Sequence, residues 1–318
     1  MYLICDWEDS VAHYNLPLYY RAKLKEICDS AGINLVFCSH QGQWPDVNQV
    51  LAYVGNRPEA EILLSTSLQW IHFGSVGTDR ISSSEASKKG VVITNSQGIF
   101  DEAVALHTVS RLLNRLIPRH ELQKQFDFNR TSWEQSTIKA GSSLFHVLGN
   151  GPIAQCLCIM LVSLGLKVRA YTRTPSKYDM PYDVVHFDHE DEELNNRNFV
   201  INLLPAAEGT EGFVTTSFLK RFSSIHYYLN IGRPHTESLS DINTLMRSGI
   251  IEYAGWDVIR DKDVCLALKH EFNQRVDFTP HIAAFTTDHW SASFELLLKN
   301  LNCFLAKDYK SMDNQVNA

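Results

Sequence analysis

One stretch, Ser143 to Arg173, limits what this chain can fold into. An apolar run, Leu144-Phe145-His146-Val147-Leu148, leads into Gly149-Asn150-Gly151-Pro152-Ile153-Ala154. Apolar residues then recur at helical spacing (Ile153, Leu157, Met160, Leu161, Leu164), Gly165 stops the pattern, and a second apolar run begins at Val168. Strand, glycine turn, helix and parallel strand is the order of a dinucleotide-binding βαβ unit. Gly149 allows a sharp turn. Gly151, Pro152 and Ile153 open the helix, whose N-terminus favours an anion such as a pyrophosphate. Ala154 stands where close helix–strand packing requires a small residue. The G-x-G-x-x-A spacing alone is also that of an ordinary tight turn. Its place between two strand-like runs is what points to a ligand.

With 318 residues, 44% of them apolar, the chain is too long for one small core and suits two domains. A net charge of −7 argues against a nucleic-acid surface. The N-terminus carries Asp6, Glu8 and Asp9 and lacks the basic and apolar regions of a secretory signal, and no apolar run reaches membrane-spanning length. The seven cysteines include no CxxC pair, which fits reduced thiols and a cytoplasmic location.

The remaining pattern alternates. Strands are expected at Tyr2–Cys5, Ile33–Cys38, Glu61–Ser65, Leu68–Phe73 and Val91–Asn95, with a helix from Leu18 that Gly32 stops. A long helix is expected from Phe100 to about Gln125, with Pro118 able to kink or end it. Strands follow at Phe199–Leu204, Ile225–Ile231, Ile250–Val258 and Val276–Phe278, a helix at Ala283–Leu305, and a frayed tail after Lys310. The fold class is therefore α/β with parallel sheets, in two Rossmann-like domains. The nucleotide-binding domain, 99–284, is expected to be inserted into a discontinuous substrate domain, 1–98 plus 285–318. Ligands of such sheets bind beyond the strands' C-termini.

Several further motifs occur in a definite order. They are Ser75-Val76-Gly77-Thr78-Asp79, Asp101-Glu102-Ala103-Val104-Ala105 with His107-Thr108, the glycine turn, Leu204-Pro205 with Thr210, Asn230-Ile231-Gly232-Arg233, Trp256-Asp257-Val258 and Thr279-Pro280-His281. Together they resemble the D-2-hydroxyacid dehydrogenase family, which includes glyoxylate/hydroxypyruvate reductases, over residues from about Leu68 to Phe285. The resemblance implies an NAD(P)H-dependent reductase of a small 2-oxo acid. In it Arg233 grips and polarises the substrate with its planar fork, and His281 is the general acid or base. Backbone N–H groups at Val76 and Gly77 would take the substrate carboxylate. The cofactor would be held by Gly149, Gly151, Pro152, Ile153, Arg173, Thr174, Leu204, Pro205, Ile231 and Asp257, with Asp257 near the nicotinamide. The helix from Phe100 would form a homodimer. His107 and His146 read as packed or hydrogen-bonded residues rather than catalytic ones.

The chain departs from that family at three positions. Lys262 occupies the column of the glutamate that keeps the histidine protonated, Pro234 replaces the glycine after the arginine, and Leu106 replaces a helix glutamate. A lysine facing His281 would lower its pKa, unless the long stem turned the charge to water or Asp261 or Asp263 swung in. The reading adopted is Lys262 outside the proton relay, in a weak or specialised reductase. The alternative is a cofactor-binding regulatory or scaffold protein on the same fold. NADP(H) is favoured over NAD(H). The second strand of the nucleotide unit ends at Thr172 where NAD-binding relatives carry an acid, and Arg173, Thr174 and nearby Lys177 suit a 2′-phosphate.

Overall fold

A computed structural model describes residues 1–9, 14–37, 45–78, 81, 90–118, 134, 137–174, 179–189, 197–258, 261–287 and 289–316. Asp79, Lys177 and the expected helix beyond Pro118 lie outside these. The chain divides into two compact units, Met1–Phe100 with Thr286–Ala318, and Asp101–Phe285.

The first unit is built on β1 (Tyr2–Cys5), a two-stranded hairpin of β2 (Glu8–Asp9) and β3 (Tyr14–Asn15), β4 (Asn34–Phe37), β5 (Val50–Val54), β6 (Trp70–His72) and β7 (Val92–Thr94). Its main sheet is parallel, in the order β4-β1-β5-β6-β7. Alternate faces of the strands bury two apolar clusters, one on Leu3, Trp70 and Phe294, the other on Ile4, Tyr53 and Ile71. The helix His289–Leu305 supplies Phe294, Leu297, Leu301 and Phe304 to the first cluster. That helix starts at His289 rather than at Ala283.

Two expectations fail in this unit. Glu61–Ser65 is not a strand: Ala60–Leu63 is a single helical turn, with Ile62 buried and Leu64 exposed. The strand is Val50–Val54, an apolar run between β1 and β6 whose burial on both faces leaves no alternation to read. The tail is not frayed as far as Val316, where the described residues end. Gln315 pairs antiparallel with Thr94, the Val316 amide donates to the Ile93 carbonyl, and the Asp313 amide donates to Asn300 Oδ1 at 2.7 Å.

The second unit carries β8 (Ser143–Leu148), β9 (Lys167–Thr172), β10 (Asp183–His186), β11 (Arg197–Asn202), β12 (Ile225–Asn230), β13 (Ile251–Trp256) and β14 (Val276–Phe278). The order β10-β9-β8-β11-β12-β13-β14, all parallel, is doubly wound about β8, and the strand order reverses between β8 and β11. β8 and β12 are buried along their whole lengths, which is why they read as continuous apolar runs. The helix Asp101–Leu116 ends two residues before Pro118. Near its C-terminus Arg111 and Arg115 both pair with Asp277 on β14, Arg115 at 2.9 Å, and Arg115 also lies over the Tyr227 and Tyr253 rings. These pairs fasten the helix to the far edge of the sheet.

At the C-terminal ends of β11 and β12 the backbones nearly touch. A Cβ on Gly232 would lie 2.6 Å from the Leu204 carbonyl oxygen and 2.9 Å from its nitrogen. Neither atom can swing away as a side chain could, so overpacking here costs about 1–3 kcal/mol. Gly232→Ala should lower the melting temperature of this unit, followed by far-UV circular dichroism. An unchanged melting curve would show that the two strand ends part without cost.

Candidate active site

The nucleotide turn sits where β8 meets β11. Gly149 has φ +110°, its amide donates to the Tyr171 carbonyl at 2.9 Å, and a Cβ there would lie 3.3 Å from the Leu203 carbonyl oxygen. Only glycine suits that combination of conformation and crowding. Gly151 is the N-cap of the helix Pro152–Ser163 and offers no side-chain cap, while a Cβ on it would meet open space. Pro152, at the first helical position, has no N–H to satisfy. Ala154 is buried against the sheet and Ile153 is half-buried. An uncapped helix N-terminus behind an open glycine fits a dinucleotide pyrophosphate.

The neighbouring strand ends complete this ledge. β9 closes on Thr172, whose hydroxyl exchanges hydrogen bonds with the backbone of Thr174, and Arg173 is exposed. The Arg173 guanidinium reaches the turn at Gly209, where a Cβ would stand 3.4 Å from its Nη1. That turn is clamped by buried Thr210, whose hydroxyl donates to the Pro205 and Ala207 carbonyls at 2.6 and 2.8 Å and accepts from the Ala207 amide. Leu204 is buried, Pro205 exposed, and Ile231 buried with its amide on the Asn202 carbonyl.

Arg233 leaves the end of β12 in an extended conformation. Its carbonyl accepts from Thr236 Oγ1 at 2.6 Å and from Asn230 Nδ2 at 3.4 Å, so its main chain is held from below. His281 follows β14 and has φ +57°, a left-handed conformation that costs a non-glycine residue roughly 1–2 kcal/mol. Its amide reaches the Asp257 and Thr279 carbonyls at 2.8 and 3.0 Å. Asp257 is 1% exposed, and its carboxylate receives the Thr279 hydroxyl at 2.5 Å and the Ile282 and Ala283 amides at 3.0 and 3.1 Å. Hydrogen bonds to a charged group contribute about 1.5–3 kcal/mol each, which offsets the strain of the turn. Asp257 thus shapes the backbone that presents His281, a role its motif position does not reveal.

Desolvation and two charged groups act on the His281 imidazole. Although it keeps solvent exposure, the crowding of the turn lowers its pKa by desolvation; Asp257 opposes this, and the Arg233 guanidinium adds to it. Arg233 and His281 are therefore within electrostatic reach of each other. Lys262, by contrast, is the exposed first residue of the helix Lys262–Phe272. Asp261 is engaged as that helix's N-cap, with Oδ1 accepting from the Asp263 and Val264 amides at 2.9 and 3.1 Å. Asp263 is exposed on its first turn.

Behind Asp257 stands His107, with Nε2 3.9 Å from Oδ1. Desolvation lowers its pKa, Asp257 raises it, and Arg111 lowers it. Thr279 bridges onward to Arg111 Nη1 at 3.3 Å. His146 is a packing residue, its two nitrogens bonded to the Tyr171 hydroxyl and Asn198 Oδ1. In the other unit Val76 and Gly77 lie in a loop after β6, where Asn95 Nδ2 holds the Val76 carbonyl at 2.7 Å and Ser75 Oγ the Gly77 carbonyl at 2.8 Å.

Titration of the His281 ring protons by NMR should give a midpoint below the ordinary 6.5. Arg233→Gln should move it up by removing a like charge, and Lys262→Glu should leave it in place. A shift with Lys262→Glu would put that side chain back in the relay.

The model of the D-isomer specific 2-hydroxyacid dehydrogenase NAD-binding domain matches residues 106–283. A glyoxylate reductase of Pyrococcus furiosus is 23% identical over 270 residues, which are 81% of this chain and 80% of that protein. The crystal structure of an NADPH-dependent glyoxylate/hydroxypyruvate reductase from Sinorhizobium meliloti, with NADP and malonate, superposes with a TM-score of 0.76 at 19% identity, covering 99% of this chain and 96% of that one. A D-lactate dehydrogenase from Aquifex aeolicus, with NAD and lactic acid, gives 0.78 at 17% identity and 99% coverage of both. At such identities the structural likeness is one of fold.

Proposed function

Because the chain belongs to the D-isomer specific 2-hydroxyacid dehydrogenase family, we propose that it reduces a small 2-oxo acid with NAD(P)H, using Arg233 to polarise the ketone and His281 as general acid. The observation that carries this reading is the pairing itself. His281 is held in a strained left-handed conformation by Asp257, within reach of the Arg233 charge. Such strain at a polar, partly exposed residue is the mark of a site whose geometry matters.

A bound reduced nicotinamide supplies the hydride. Gly149, Gly151, Pro152 and Ile153 would hold the cofactor's pyrophosphate, with Leu204, Pro205, Ile231 and Asp257 lining the rest. The Arg233 fork takes oxygens of the 2-oxo acid and draws electron density from the ketone. His281 then gives its ring proton to the oxygen as charge develops there, and accepts it again in hydroxy-acid oxidation. A lowered pKa makes His281 a stronger acid but leaves less of it protonated at neutral pH. Asp257 limits that loss where the family's glutamate is replaced by Lys262. Val76 and Gly77 are assigned to the substrate carboxylate on the family resemblance.

NADPH oxidation with glyoxylate, hydroxypyruvate and larger 2-oxo acids tests the activity. Arg233→Ala and His281→Ala should each lose about a hundredfold or more in kcat/KM. For the wild type, kcat/KM for reduction should fall as pH rises through a pKa below 6.5, because the protonated histidine is the form consumed. No turnover of any 2-oxo acid, with cofactor bound, would sink the enzyme reading.

The preference for NADPH rests on Thr172 in place of an acid and on exposed Arg173 beside the turn at Gly209. A charge-assisted bond to the 2′-phosphate contributes about 1.5–3 kcal/mol, so Arg173→Ala should reduce the NADPH/NADH preference about tenfold or more. An unchanged ratio removes Arg173 from cofactor choice.

A homodimer through the helix Asp101–Leu116 is supported by exposed Leu106 and Leu113, two turns apart on it, and by exposed Ile117 just past its end. Sedimentation should give about twice 36.2 kDa at micromolar concentration, and a monomer would exclude it.

A further inference from the structure

Glu237 is a carboxylic acid in an apolar core. It follows the 3₁₀ turn Pro234–Thr236, is 8% exposed, and has no part in the chemistry above. Burial pushes its pKa up, while hydrogen bonds from Tyr228, Asn230, Trp256 and Asn202 oppose the rise. The Trp256 indole N–H donates to Oε1 at 2.6 Å, and the Tyr228 hydroxyl donates to Oε2. An aliphatic residue would avoid the desolvation cost altogether, so the acid is there for what it gathers.

These four residues stand at the C-terminal ends of three adjacent strands, Asn202 on β11, Tyr228 and Asn230 on β12, and Trp256 on β13, and Asn202 Nδ2 also donates to the Tyr228 hydroxyl at 3.3 Å. Two of them also carry Arg233. Asn230 Nδ2 reaches the Arg233 carbonyl at 3.4 Å, and Asn202 Nδ2 holds Thr236 Oγ1 at 2.8 Å, which in turn donates to the same carbonyl at 2.6 Å. Trp256 belongs to the other half of the site. It immediately precedes Asp257 and stacks on Phe278, with ring centroids 5.1 Å apart and planes at 13°. Phe278 leads into Thr279, whose hydroxyl binds the Asp257 carboxylate.

We propose that Glu237 is a positioning residue for 2-oxo acid reduction: by anchoring the Tyr228 hydroxyl and the Trp256 indole on one carboxyl group, beside Asn202 and Asn230, it sets Arg233 against the turn that presents His281. The proposal rests on the roles given to Arg233 and His281 above. It places the larger effect of Glu237 on the recognition of the oxo acid: Leu204, Ile231 and Asp257, assigned to the cofactor above, flank the same strand ends, but the pyrophosphate turn on β8 lies outside the network.

The test compares wild type with Glu237→Val, Glu237→Gln and Tyr228→Phe. Steady-state kinetics with saturating NADPH are combined with amide hydrogen exchange. Glu237→Val should lose about tenfold to a hundredfold in kcat/KM for the 2-oxo acid, because small displacements of an oriented pair are costly, while KM for NADPH, anchored also at the turn on β8, changes several-fold less. Exchange should quicken at the Gly232 and Thr236 amides, which bond to Asn202 and Arg233 carbonyls, and stay unchanged at Gly149 and Gln155. Glu237→Gln, which keeps an acceptor, should recover part of the loss, and Tyr228→Phe should show a smaller loss with the same split. A folded Glu237→Val with unaltered 2-oxo acid kinetics overturns the proposal, as does an equal loss in the oxo acid and cofactor constants. If Glu237→Val does not fold, Glu237→Gln and Tyr228→Phe decide on the same split, and wild-type values in both overturn it. If the wild type reduces no 2-oxo acid, the functional reading fails, and exchange alone decides the brace: faster exchange at Gly232 and Thr236 supports it, and unchanged exchange overturns it.

Discussion

The buried carboxylate of Asp257 holds the candidate site together. It sits at the end of β13 and binds three groups of the next turn, the Thr279 hydroxyl and the Ile282 and Ala283 amides. With its own carbonyl on the His281 amide, it encloses the turn from both sides. A buried carboxylate without such donors would be costly; with them it becomes a template for backbone. The left-handed conformation of His281 follows from that template, and so does the direction in which its imidazole is offered. The arrangement is also electrostatic, because Asp257 is the negative charge that opposes desolvation and Arg233 at the histidine.

Asp257 is itself supported by a second layer. Thr279 bridges it to Arg111, Arg111 and Arg115 close on Asp277, and the Tyr227 hydroxyl lies 3.1 Å from Asp277 Oδ2. The helix Asp101–Leu116 therefore serves the site from behind, through His107, Arg111 and Arg115, by fixing the edge of the sheet from which the histidine turn departs. Glu237 braces the same region from the side of β12. Polar networks of this kind are stabilising only when nearly every member is satisfied, which ties the conformation of the site to the integrity of the whole sheet edge. His107, facing Asp257 at 3.9 Å, is where the helix comes nearest to this centre.

Much of the architecture was legible in the sequence because burial has a period. The runs of β8, β12 and β13, the helix after Gly151 and the parallel alternation all follow from apolar patterning and glycine placement, and the two sheets have the expected α/β class. Val50–Val54 and Ala60–Leu63 are not legible in the sequence, because one short buried strand and one helical turn carry almost no periodic signal. The pairing of the tail is not legible either, because it comes from β7 and Asn300, distant partners that no local pattern announces.

By itself the sequence determined which residue types stand at the strand ends: glycines where backbones must approach, an arginine after β12, an aspartate after β13 and a histidine after β14. These are local facts, set by turn chemistry and the strand period. Only the tertiary structure decided what each one faces. Lys262 becomes an exposed helix residue and Asp261 a cap, and the carboxylate acting on His281 is one already committed to its turn. Glu237, unremarkable in sequence, becomes a buried acid that receives the Tyr228 hydroxyl and the Trp256 indole. The reason is physical: charge, burial and hydrogen-bond satisfaction depend on neighbours from strands up to 50 or more positions apart, and folding alone brings those neighbours together.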